Sequence, residues 1–514
     1  MREAIRFTLF VVIIFAILSA TLKWPLYGFV GIFVVILLIG LYDINQKKHT
    51  ILRNFPVIGH MRYLLEMISP EIHQYFIEDD TDGKPIDRNH RTYIYSRAKL
   101  QRDTHPFGTQ LNVNADNYKW MQHSIYPAAR LSAPPRIKVG GPDCTQPYSA
   151  SIFNISAMSY GSLSKNAVEA MNRGAKAGGF YHNTGEGGIS SFHLTGADLV
   201  WSIGTGYFGC RTEDGHFNPE MFKTNATRPE VKMIEIKISQ GAKPGHGGVL
   251  PASKNNEEIA GIRGLRPHTD VLSPPGHSEF SDAYGLLNFV QRLRKLSGGK
   301  PVGFKLCIGS KDEFDDICKK MVETGIKPDF ITIDGAEGGT GAAPIDFSNY
   351  VGMPWEQGLV YAVDTLRGYD LKKDIRILTA TKIITAFDVF KALCIGADIC
   401  AAARAMMMAV GCIQALKCDT NTCPTGVATQ DPKLARGLVV EDKWKRVRNY
   451  HGATIHDFLE LFMAAGCSHL SELDRKLIYK QVNDKTMSYA TLYPEVKEGS
   501  YLKHPKPKVA AQLQ

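Results

Sequence analysis

The stretch PVGFKLCIGSKDEFDDICKKMVETGIKPDFITIDGAEGGTG, residues 301–341, contains the pattern that decides the fold. It begins with a short apolar run, continues into a segment of helical periodicity, KDEFDDICKKMVETG, and returns to a second apolar run, DFITID. Short β-branched runs that alternate with helical segments are typical of βα units whose parallel sheet is buried on both faces. The stretch therefore predicts a strand and a helix followed by the next strand.

The same alternation extends along the chain from residue 151 onward, with SKNAVEAMNRGAKAG and DAYGLLNFVQRLRKL among its helical segments. Eight candidate strands begin near Ser151, Phe180, Thr205, Lys232, Pro301, Asp329, Ile375 and Ala397. Eight is the number of strands that closes a (β/α)8 barrel. We therefore predict the α/β class, with a (β/α)8 TIM barrel over residues 146–450, a linker and barrel-wrapping segment over 46–145, and a helical extension and tail over 451–514.

The N-terminal region contains two uncharged runs, residues 7–22 and 24–42, separated by Lys23. About 19 residues at 1.5 Å each reach roughly 28 Å, close to the hydrocarbon thickness of a bilayer. These runs predict a transmembrane helical hairpin over residues 1–45, in contact with membrane lipid. The basic residues that flank it predict an inner-membrane location with the catalytic domain in the cytoplasm. A cleaved signal peptide is the alternative, which the second run disfavours.

The composition limits the classes of function. The chain has 514 residues, of which 44% are hydrophobic and 22% charged, so it can bury a substantial core. The net charge of +9 comes from scattered Lys and Arg residues rather than a basic run interleaved with aromatics, so we expect no nucleic-acid partner. The ten cysteines are too sparse for a disulfide framework, and only Cys412, Cys418 and Cys423 lie close together.

Glycine is concentrated after the candidate strands, where a (β/α)8 barrel places its chemistry. The loops that show this are residues 157–161, 184–188, 240–248 and 334–341. A glycine-rich loop with free backbone N–H groups can bind phosphate, although one such loop alone often only closes a turn. Four of them at strand ends predict a phosphorylated cofactor or substrate.

Three polar residues near these loops are candidates for catalysis. Lys305 alternates with apolar neighbours in the run GFKLC and is predicted to point into the barrel mouth, where a buried cation needs an anionic partner. The N1 and O2 edge of a flavin would supply that partner, whereas a lysine reaching solvent from the barrel rim is the alternative. Glu186 and His246 are candidate proton-transfer groups, although a Glu among glycines can simply accept backbone N–H groups.

The clustered cysteines follow the eighth candidate strand in the pattern Cys412-x5-Cys418-x4-Cys423-Pro424. Iron-sulfur clusters need thiolates that converge from a loop, and a proline after the last ligand recurs in ferredoxin-type runs. A structural zinc site would normally use CxxC pairs and four ligands, and no fourth Cys or His is nearby in the sequence. From the residues alone, a cluster, a zinc site and three separate core cysteines all stay open.

Six motifs occur in one order: AMSYGSLS, NTGEGG, EIKISQGAKPGHGG, SPPGH, DGAEGGTGAAP and GCIQALKCDTNTCPTGVATQ. Together they resemble the FMN-binding synthase domain of glutamate synthase, over about residues 130–450. The resemblance implies an oxidoreductase that condenses ammonia with 2-oxoglutarate to 2-iminoglutarate, which takes a hydride from reduced FMN to give L-glutamate. It also implies that Cys412, Cys418 and Cys423 bind a [3Fe-4S] cluster.

The resemblance also assigns site residues position by position. The family's oxoacid-binding residues match Lys237, Gln240, Lys243 and Arg263. Two lysines and an arginine are suited to bind the carboxylates of an oxoacid. The alternative is that the lysines belong to a solvated surface loop and bind no ligand. The family's flavin contacts match Ala157, Met158, Ser159, Lys305, Gly335, Gly339, Thr340 and Gly341, with Asp334 at the start of the same loop.

Two departures from the family bear on the substrate and the partners. The family motif PGEGGQ is PGHGGV here, so His246 and Val249 replace an acidic residue and an amide. The family's glutamine amidotransferase and β-helix are not expected in this sequence, so ammonia should be free or come from a separate glutaminase subunit. Electrons are expected through the cluster from ferredoxin or a membrane redox partner.

Two alternative functions stay open at this point. One is an FMN and iron-sulfur dehydrogenase of another 2-oxo or 2-hydroxy acid or amine, linked to a membrane electron acceptor. The other is a flavin-carrying assembly subunit without catalysis of its own.

Overall fold

The computed structural model describes residues 13, 17, 26–101 and 104–503. Its contacts divide the chain into two compact units, residues 1–89 and 90–514. The first unit contains the helices Leu26–Asn45, Thr50–Asn54 and Gly59–Ile72 and the π-helical turn His73–Ile77. Helix Arg88–Ala98 begins at the boundary between the units.

The second unit contains a closed barrel of eight parallel strands, which confirms the predicted (β/α)8 barrel. The strands are β1 (Phe153–Ile155), β2 (His182–Asn183), β3 (Leu199–Ile203), β4 (Val231–Lys237), β5 (Val302–Cys307), β6 (Phe330–Asp334), β7 (Arg376–Thr379) and β8 (Ile399–Ala402). Each strand pairs with the next along the chain, and β8 pairs with β1 through Cys400 and Phe153. The carboxyl ends of all eight strands therefore open on one face.

The three helices that the sequence predicts are confirmed, and a polar side chain caps each of them. Ser164, Asp282 and Ser310 accept hydrogen bonds from the first turns of helices Lys165–Gly178, Ala283–Leu296 and Lys311–Thr324. Such a cap stabilises a helix by about 1 kcal/mol. The other α-helices of this unit are Pro219–Ala226, Glu257–Arg263, Ile345–Tyr350, Trp355–Gly368, Ala386–Ile395, Arg404–Val410, Pro432–Ala435, Val440–Ala464, Tyr489–Leu492 and Ser500–Lys503.

The third strand differs from the sequence prediction. We expected it near Thr205, in TGYFGCR, but β3 is the preceding run LVWSI, all of whose residues are buried. Residues 205–211 instead form a loop in which Tyr207 has a φ of 49° and Gly209 a φ of 86°. A continuous strand excludes such left-handed backbone, so Tyr207 and Phe208 are buried side chains of a loop rather than of a strand.

Additional short strands surround the barrel. The antiparallel pair Arg136–Val139 and Tyr148–Ser151 contributes Val139, Tyr148 and Ala150 to a buried cluster with residues of β3, β4 and β6–β8. Because Phe330 and Ile399 of this cluster begin their strands, the pair closes the amino-terminal end of the barrel. A separate sheet joins Lys119–Met121 to Ile478–Val482 and Lys485–Ser488, and a two-stranded ladder joins Val249–Leu250 to Val271–Leu272.

The predicted transmembrane hairpin is wrong. Among residues 13, 17, 26–101 and 104–503, no helix is both long and apolar enough to cross a membrane. The second predicted span lies in helix Leu26–Asn45, where the buried Asp43 accepts hydrogen bonds from Val57 N (2.9 Å) and His60 Nε2 (3.0 Å).

The other predictions that depended on this hairpin are corrected with it. The first predicted span, residues 7–22, lies outside the described residues apart from Ile13 and Ile17. The inner-membrane location with a cytoplasmic catalytic domain required two spans, and the described part of the chain contains no helix that could form one.

Candidate active site at the carboxyl ends of the strands

The four glycine-rich loops meet at the open face of the barrel. A Cβ at Gly241 would overlap the carbonyl oxygen of Gly335, so the loops after β4 and β6 touch through their backbones. A Cβ at Gly185, which has a φ of 64°, would lie 2.6 Å from the backbone nitrogen of Ser159. Only glycine, which lacks a Cβ, allows backbones to come this close. The loop after β2 therefore packs on the loop after β1, as the loop after β4 packs on the loop after β6.

Lys305 lies in the centre of this face and is paired with Asp334. The Nζ to Oδ2 distance is 3.0 Å and both side chains are buried. Burial alone would lower the pKa of Lys305, but the carboxylate of Asp334 and then that of Glu235 hold it above its ordinary value. The lysine is therefore a fixed cation whose anionic partner is a protein side chain, rather than a rim lysine in contact with solvent.

Asp334 is itself fixed by several donors. The hydroxyl of Thr381 donates to Oδ1, and the backbone nitrogen of Gly241 lies 3.3 Å from Oδ2. Burial would raise the pKa of Asp334, but Lys305 and these hydrogen bonds hold it below its ordinary value. The pair consequently stays ionised and connects β5, β6 and the loop after β4.

Glu186, in the loop after β2, faces a group of cations. Its Oε1 lies 2.6 Å from Lys237 Nζ at the end of β4. Burial would raise the pKa of Glu186, but the charges of Lys237, Arg263 and Lys243 hold it below its ordinary value. The structure therefore brings four of the predicted site residues together, with one carboxylate against three cations.

The two other cations of this group are deeply buried. Burial lowers the pKa of Lys243 to about 8, and repulsion by Lys237 acts in the same direction. Burial also lowers the pKa of Arg263 to about 10. Arg263 donates from one terminal nitrogen to the carbonyl oxygen of Tyr160 (2.9 Å) and lies over the ring of Phe208 at 5.0 Å.

Two buried donors beside these cations have no acceptor. Within the described residues, Gln240 Nε2 and Arg263 Nε are buried without a hydrogen-bond partner. A buried donor without an acceptor costs about 1–3 kcal/mol, so a ligand oxygen that accepted from either atom would be bound favourably. Both belong to residues that the sequence assigns to the oxoacid.

His246 and Val249 lie apart from this group. His246 is exposed, its Nδ1 lies 2.9 Å from the carbonyl oxygen of Gly247, and its ring meets Phe347 edge-on. Val249 pairs with Leu272 in the short antiparallel ladder. No described contact joins either side chain to Glu186 or to the buried lysines.

Apart from Lys305 on β5, the residues assigned to the flavin lie in the loops after β1 and β6. Met158 and Gly335 are buried and Ala157 and Ser159 partly buried, whereas Gly339, Thr340 and Gly341 are exposed. Among the described residues, no acceptor receives a hydrogen bond from the backbone nitrogens of those three exposed residues. Three adjacent N–H groups without a protein acceptor are suited to an anion such as phosphate.

The cysteine loop follows β8 and helix Arg404–Val410. Burial raises the pKa of Cys412 to about 12 and raises that of Cys418. Burial would also raise the pKa of Cys423, but backbone N–H groups, that of Ala428 foremost, and the hydroxyl of Thr425 hold it below its ordinary value. The thiols of Cys418 and Cys423 both raise the pKa of Cys412, so the three groups act on one another electrostatically.

The backbone of the cysteine loop is strained. Three of its residues have left-handed φ values, which residues other than glycine rarely adopt. These are Gln414 (59°), Leu416 (53°) and Asn421 (63°). Strained backbone of this kind concentrates at functional sites, where the surrounding structure maintains it. A Cβ at Gly341 would lie 3.5 Å from the Cβ of Cys418, so the loop after β6 packs directly on the cysteine loop.

Sequence reasoning missed three polar residues of this face. Glu235 is buried inside the barrel, where Asn183 Nδ2 and Thr332 Oγ1 donate to it at 2.9 and 2.8 Å. Arg404 donates to the carbonyl oxygen of Glu337 and lies against Gly339. Lys254 is buried beside the cysteine loop. Glu235 lies two residues before Lys237 in VKMIEIK, so the two share a face of the strand and the sequence pattern could have identified it. Nothing in the local sequence marks Arg404 or Lys254.

The barrel, its glycine-rich loops and the buried lysine at their centre define an FMN-dependent (β/α)8-barrel oxidoreductase. The chain belongs to the glutamate synthase family: the family model described as the conserved region in glutamate synthase matches residues 143–468. This confirms the resemblance that the six motifs indicate.

Two curated relatives define the extent of the similarity. The glutamate synthase large subunit-like protein YerD of Bacillus subtilis is 37% identical over 466 residues, which cover 82% of this chain and 88% of that protein. The archaeal glutamate synthase [NADPH] of Methanocaldococcus jannaschii is 35% identical over 324 residues, which cover 62% of this chain and 60% of that protein. The chain thus spans less than two thirds of the archaeal protein, and most of YerD.

One of the solved structures that match the chain is a flavocytochrome b2 mutant with pyruvate bound. It is 13% identical, with a TM-score of 0.42, and the match covers 83% of this chain and 87% of that one. That similarity is too low to inform the function.

Proposed function

We propose that the protein makes L-glutamate by reductive amination of 2-oxoglutarate, with FMN as the hydride carrier and a [3Fe-4S] cluster as the entry point for electrons. The observation that supports this most is the pair of buried donors, Gln240 Nε2 and Arg263 Nε, which lack acceptors beside the cations Lys237 and Lys243. Carboxylate oxygens would satisfy both donors and balance the charge.

A dicarboxylic oxoacid fits this group better than a monocarboxylic acid. Glu186 balances one of the three cations, Lys237, through their ion pair. The two cations that remain, Lys243 and Arg263, are both buried and call for two negative charges. The planar guanidinium of Arg263 is suited to a carboxylate, and Lys243 can donate to the second one.

The residues at the barrel mouth fit FMN. The unpartnered amides of Gly339, Thr340 and Gly341 would bind its phosphate, and Ala157, Met158 and Ser159 would line its ring together with Lys305. When bound, FMN supplies the hydride that reduces the imine carbon of the substrate. Asp334 and Gly335 form the base of the same loop, where Asp334 fixes the position of the Lys305 ammonium group.

Glu186 is proposed to act on the nitrogen substrate. Because its pKa lies below the ordinary value, it is ionised at neutral pH and accepts protons or hydrogen bonds rather than donating them. An ionised carboxylate beside the oxoacid site attracts ammonium and receives the proton that ammonium must lose before it attacks the carbonyl carbon. A proton-transfer role for His246 stays a prediction, since its exposed ring does not reach this group.

The cysteine loop fits an iron-sulfur cluster. It offers three interacting thiols and no described histidine in contact with them, a donor set that favours iron-sulfur over a four-ligand zinc site. N–H groups around Cys423 would stabilise a thiolate ligand. The contact of Cys418 with the loop after β6 gives electrons a short path to the flavin site, from a donor such as ferredoxin.

The ammonia for this reaction would be free or come from a separate glutaminase subunit.

A second candidate function is an FMN and iron-sulfur dehydrogenase of another 2-oxo or 2-hydroxy acid or amine. The apolar side chain of Val249 favours it, because the family has an amide at this position. Flavin reduction by such a donor, with no turnover of 2-oxoglutarate, would select this function over glutamate synthesis.

Replacing Arg263 with Ala should weaken 2-oxoglutarate binding about thirtyfold, since loss of a charge-assisted hydrogen bond costs roughly 2 kcal/mol. The affinity for FMN should change much less. Titration of the bound flavin's absorbance with 2-oxoglutarate measures the first quantity, and FMN retention after gel filtration the second. Arg211→Ala is a matched control, because Arg211 lies over the same Phe208 ring at 5.8 Å but belongs to the neighbouring loop. Equal losses in both variants would contradict the assignment of Arg263.

The pH dependence should identify Lys243. Its pKa of about 8 means that the ammonium form, which binds a carboxylate, is present below that pH and is lost above it. The kcat/KM for 2-oxoglutarate should therefore fall as pH rises through about 8. Lys243→Arg keeps the charge at high pH and should remove this decline. A decline that persists unchanged in the Arg variant would assign the titration to another group.

A further inference from the structure

Lys254 is a buried cation without a carboxylate partner. It ends the 3-10 turn Ala252–Lys254 between the loop after β4 and helix Glu257–Arg263, and only 2% of its surface is exposed. Its Nζ donates to the carbonyl oxygens of Ser162 (3.1 Å), Cys418 (2.6 Å) and Ala428 (2.9 Å). Within the part of the chain that the structure describes, no Asp or Glu forms an ion pair with it.

Three carbonyl groups satisfy the three N–H donors of an ammonium group but do not neutralise its charge. A buried charge of this kind is costly unless an anion lies nearby. Burial lowers the pKa of Lys254, and the thiols of Cys418 and Cys423 and the carboxylate of Asp419 act in the opposite direction. The two cysteines are proposed cluster ligands, so thiolates in contact with iron would supply the missing negative charge.

The hydrogen bonds of Lys254 also join three segments of the site. Ser162 belongs to the loop after β1, Lys254 follows the loop after β4, and Cys418 and Ala428 belong to the cysteine loop. A neighbouring contact strengthens this junction, since Asn421 Nδ2 donates to the carbonyl oxygen of Ser253 at 2.9 Å. Lys254 therefore connects the proposed cluster site to the loops that carry the flavin and oxoacid residues.

We infer that Lys254 is a positioning residue for the iron-sulfur cluster, one that fixes the cysteine loop and raises the cluster's reduction potential through its buried charge. The inference rests on the proposed binding of a cluster by Cys412, Cys418 and Cys423. Reduction adds one negative charge to the cluster, and a nearby buried cation stabilises the reduced form more than the oxidised form. Loss of the cation should therefore make the cluster harder to reduce.

The test compares Lys254→Met, which removes the charge at similar length, with Lys254→Arg, which keeps it. Lys300→Met is the matched control: Lys300 is also buried and donates to two carbonyl oxygens, of Ala226 and Arg228 at 2.7 Å each, but it lies at the amino-terminal end of β5 and makes no described contact with the cysteine loop. Iron, sulfide and FMN are measured first in the full-length protein. The reduction potential of the cluster then follows from anaerobic titration with dithionite, monitored by electron paramagnetic resonance.

We expect Lys254→Met to shift the one-electron equilibrium of the cluster at least tenfold toward the oxidised form, which corresponds to about 59 mV to more negative potential. Lys254→Arg should recover most of the shift, and Lys300→Met should leave the potential unchanged. Loss of iron from the Met variant alone, with retention in the Arg variant, would also support the inference.

Three results would overturn it. One is a parental potential in Lys254→Met with full iron content, and another is an equal shift in Lys300→Met. The third is a loss of iron from both Lys254 variants, which would assign the effect to packing. A parental protein that contains no iron or sulfide would refute the cluster itself, and with it this inference, so the two failures are distinguishable.

Discussion

Lys305→Met should lower the free energy of unfolding by about 3–5 kcal/mol, because it leaves the Asp334 carboxylate buried without its cation. The same variant should stabilise reduced FMN less, since we propose that the Lys305 ammonium group lies beside the flavin ring. Chemical denaturation measures the first effect, and the reduction potential of bound FMN the second.

The double variant Lys305→Met with Asp334→Asn separates these effects. It removes the uncompensated charge, so it should recover most of the lost stability, whereas the flavin potential should stay altered. If the single and double variants are equally unstable, the ion pair does not account for the cost. If the single variant is as stable as the parent, Lys305 is not the buried partner of Asp334.

Cys418→Ser should remove essentially all bound iron and acid-labile sulfide, because three thiolates are the whole cysteine ligand set of the proposed cluster. FMN should remain largely bound, since the contact of this residue with the loop after β6 is made near Cβ, which serine retains. Metal analysis and the flavin spectrum of the same sample measure both outcomes.

The control for this experiment is Cys144→Ser. Cys144 is partly buried and donates to the carbonyl oxygen of Gly299, outside the cysteine loop. Iron should be unaffected in this variant. Iron retained by the Cys418 variant at the parental level would refute the assignment of the ligand.

The barrel could be predicted from sequence because its strands are short and mostly buried, so that apolar, β-branched runs alternate with helices along the chain. β5 and β6 are examples: every residue of each is buried. β3 was misplaced because the run after it, residues 205–211, is also apolar and aromatic, and only backbone conformation distinguishes a loop from a strand there. The predicted N-terminal hairpin rested on hydrophobicity alone, which does not distinguish a membrane span from an apolar helix that ends in buried polar contacts, such as those of Asp43 with Val57 and His60.

The candidate site was predictable to the extent that its residues lie in motifs. Glu186, Lys237, Lys243 and Arg263 come from three segments, and the structure brings them together as one charged group. The partner of Lys305 could not be read from its neighbours, since Asp334 lies on the next strand and pairs with it only through the barrel register. Lys254 was missed for the same reason, because its three acceptors lie 92, 164 and 174 residues away in the chain.

Glutamate synthesis by this chain can be measured directly by rapid mixing of the FMN-reduced protein with 2-oxoglutarate and ammonium in the absence of oxygen. The two unpartnered donors at Gln240 and Arg263 and the ionised Glu186 predict that both substrates bind and that the flavin is reoxidised, with one L-glutamate formed per FMN. Omission of either substrate should return the rate to that of buffer. Reoxidation at the buffer rate between about pH 6 and pH 9, in protein with a full complement of FMN, would contradict glutamate synthesis by this chain.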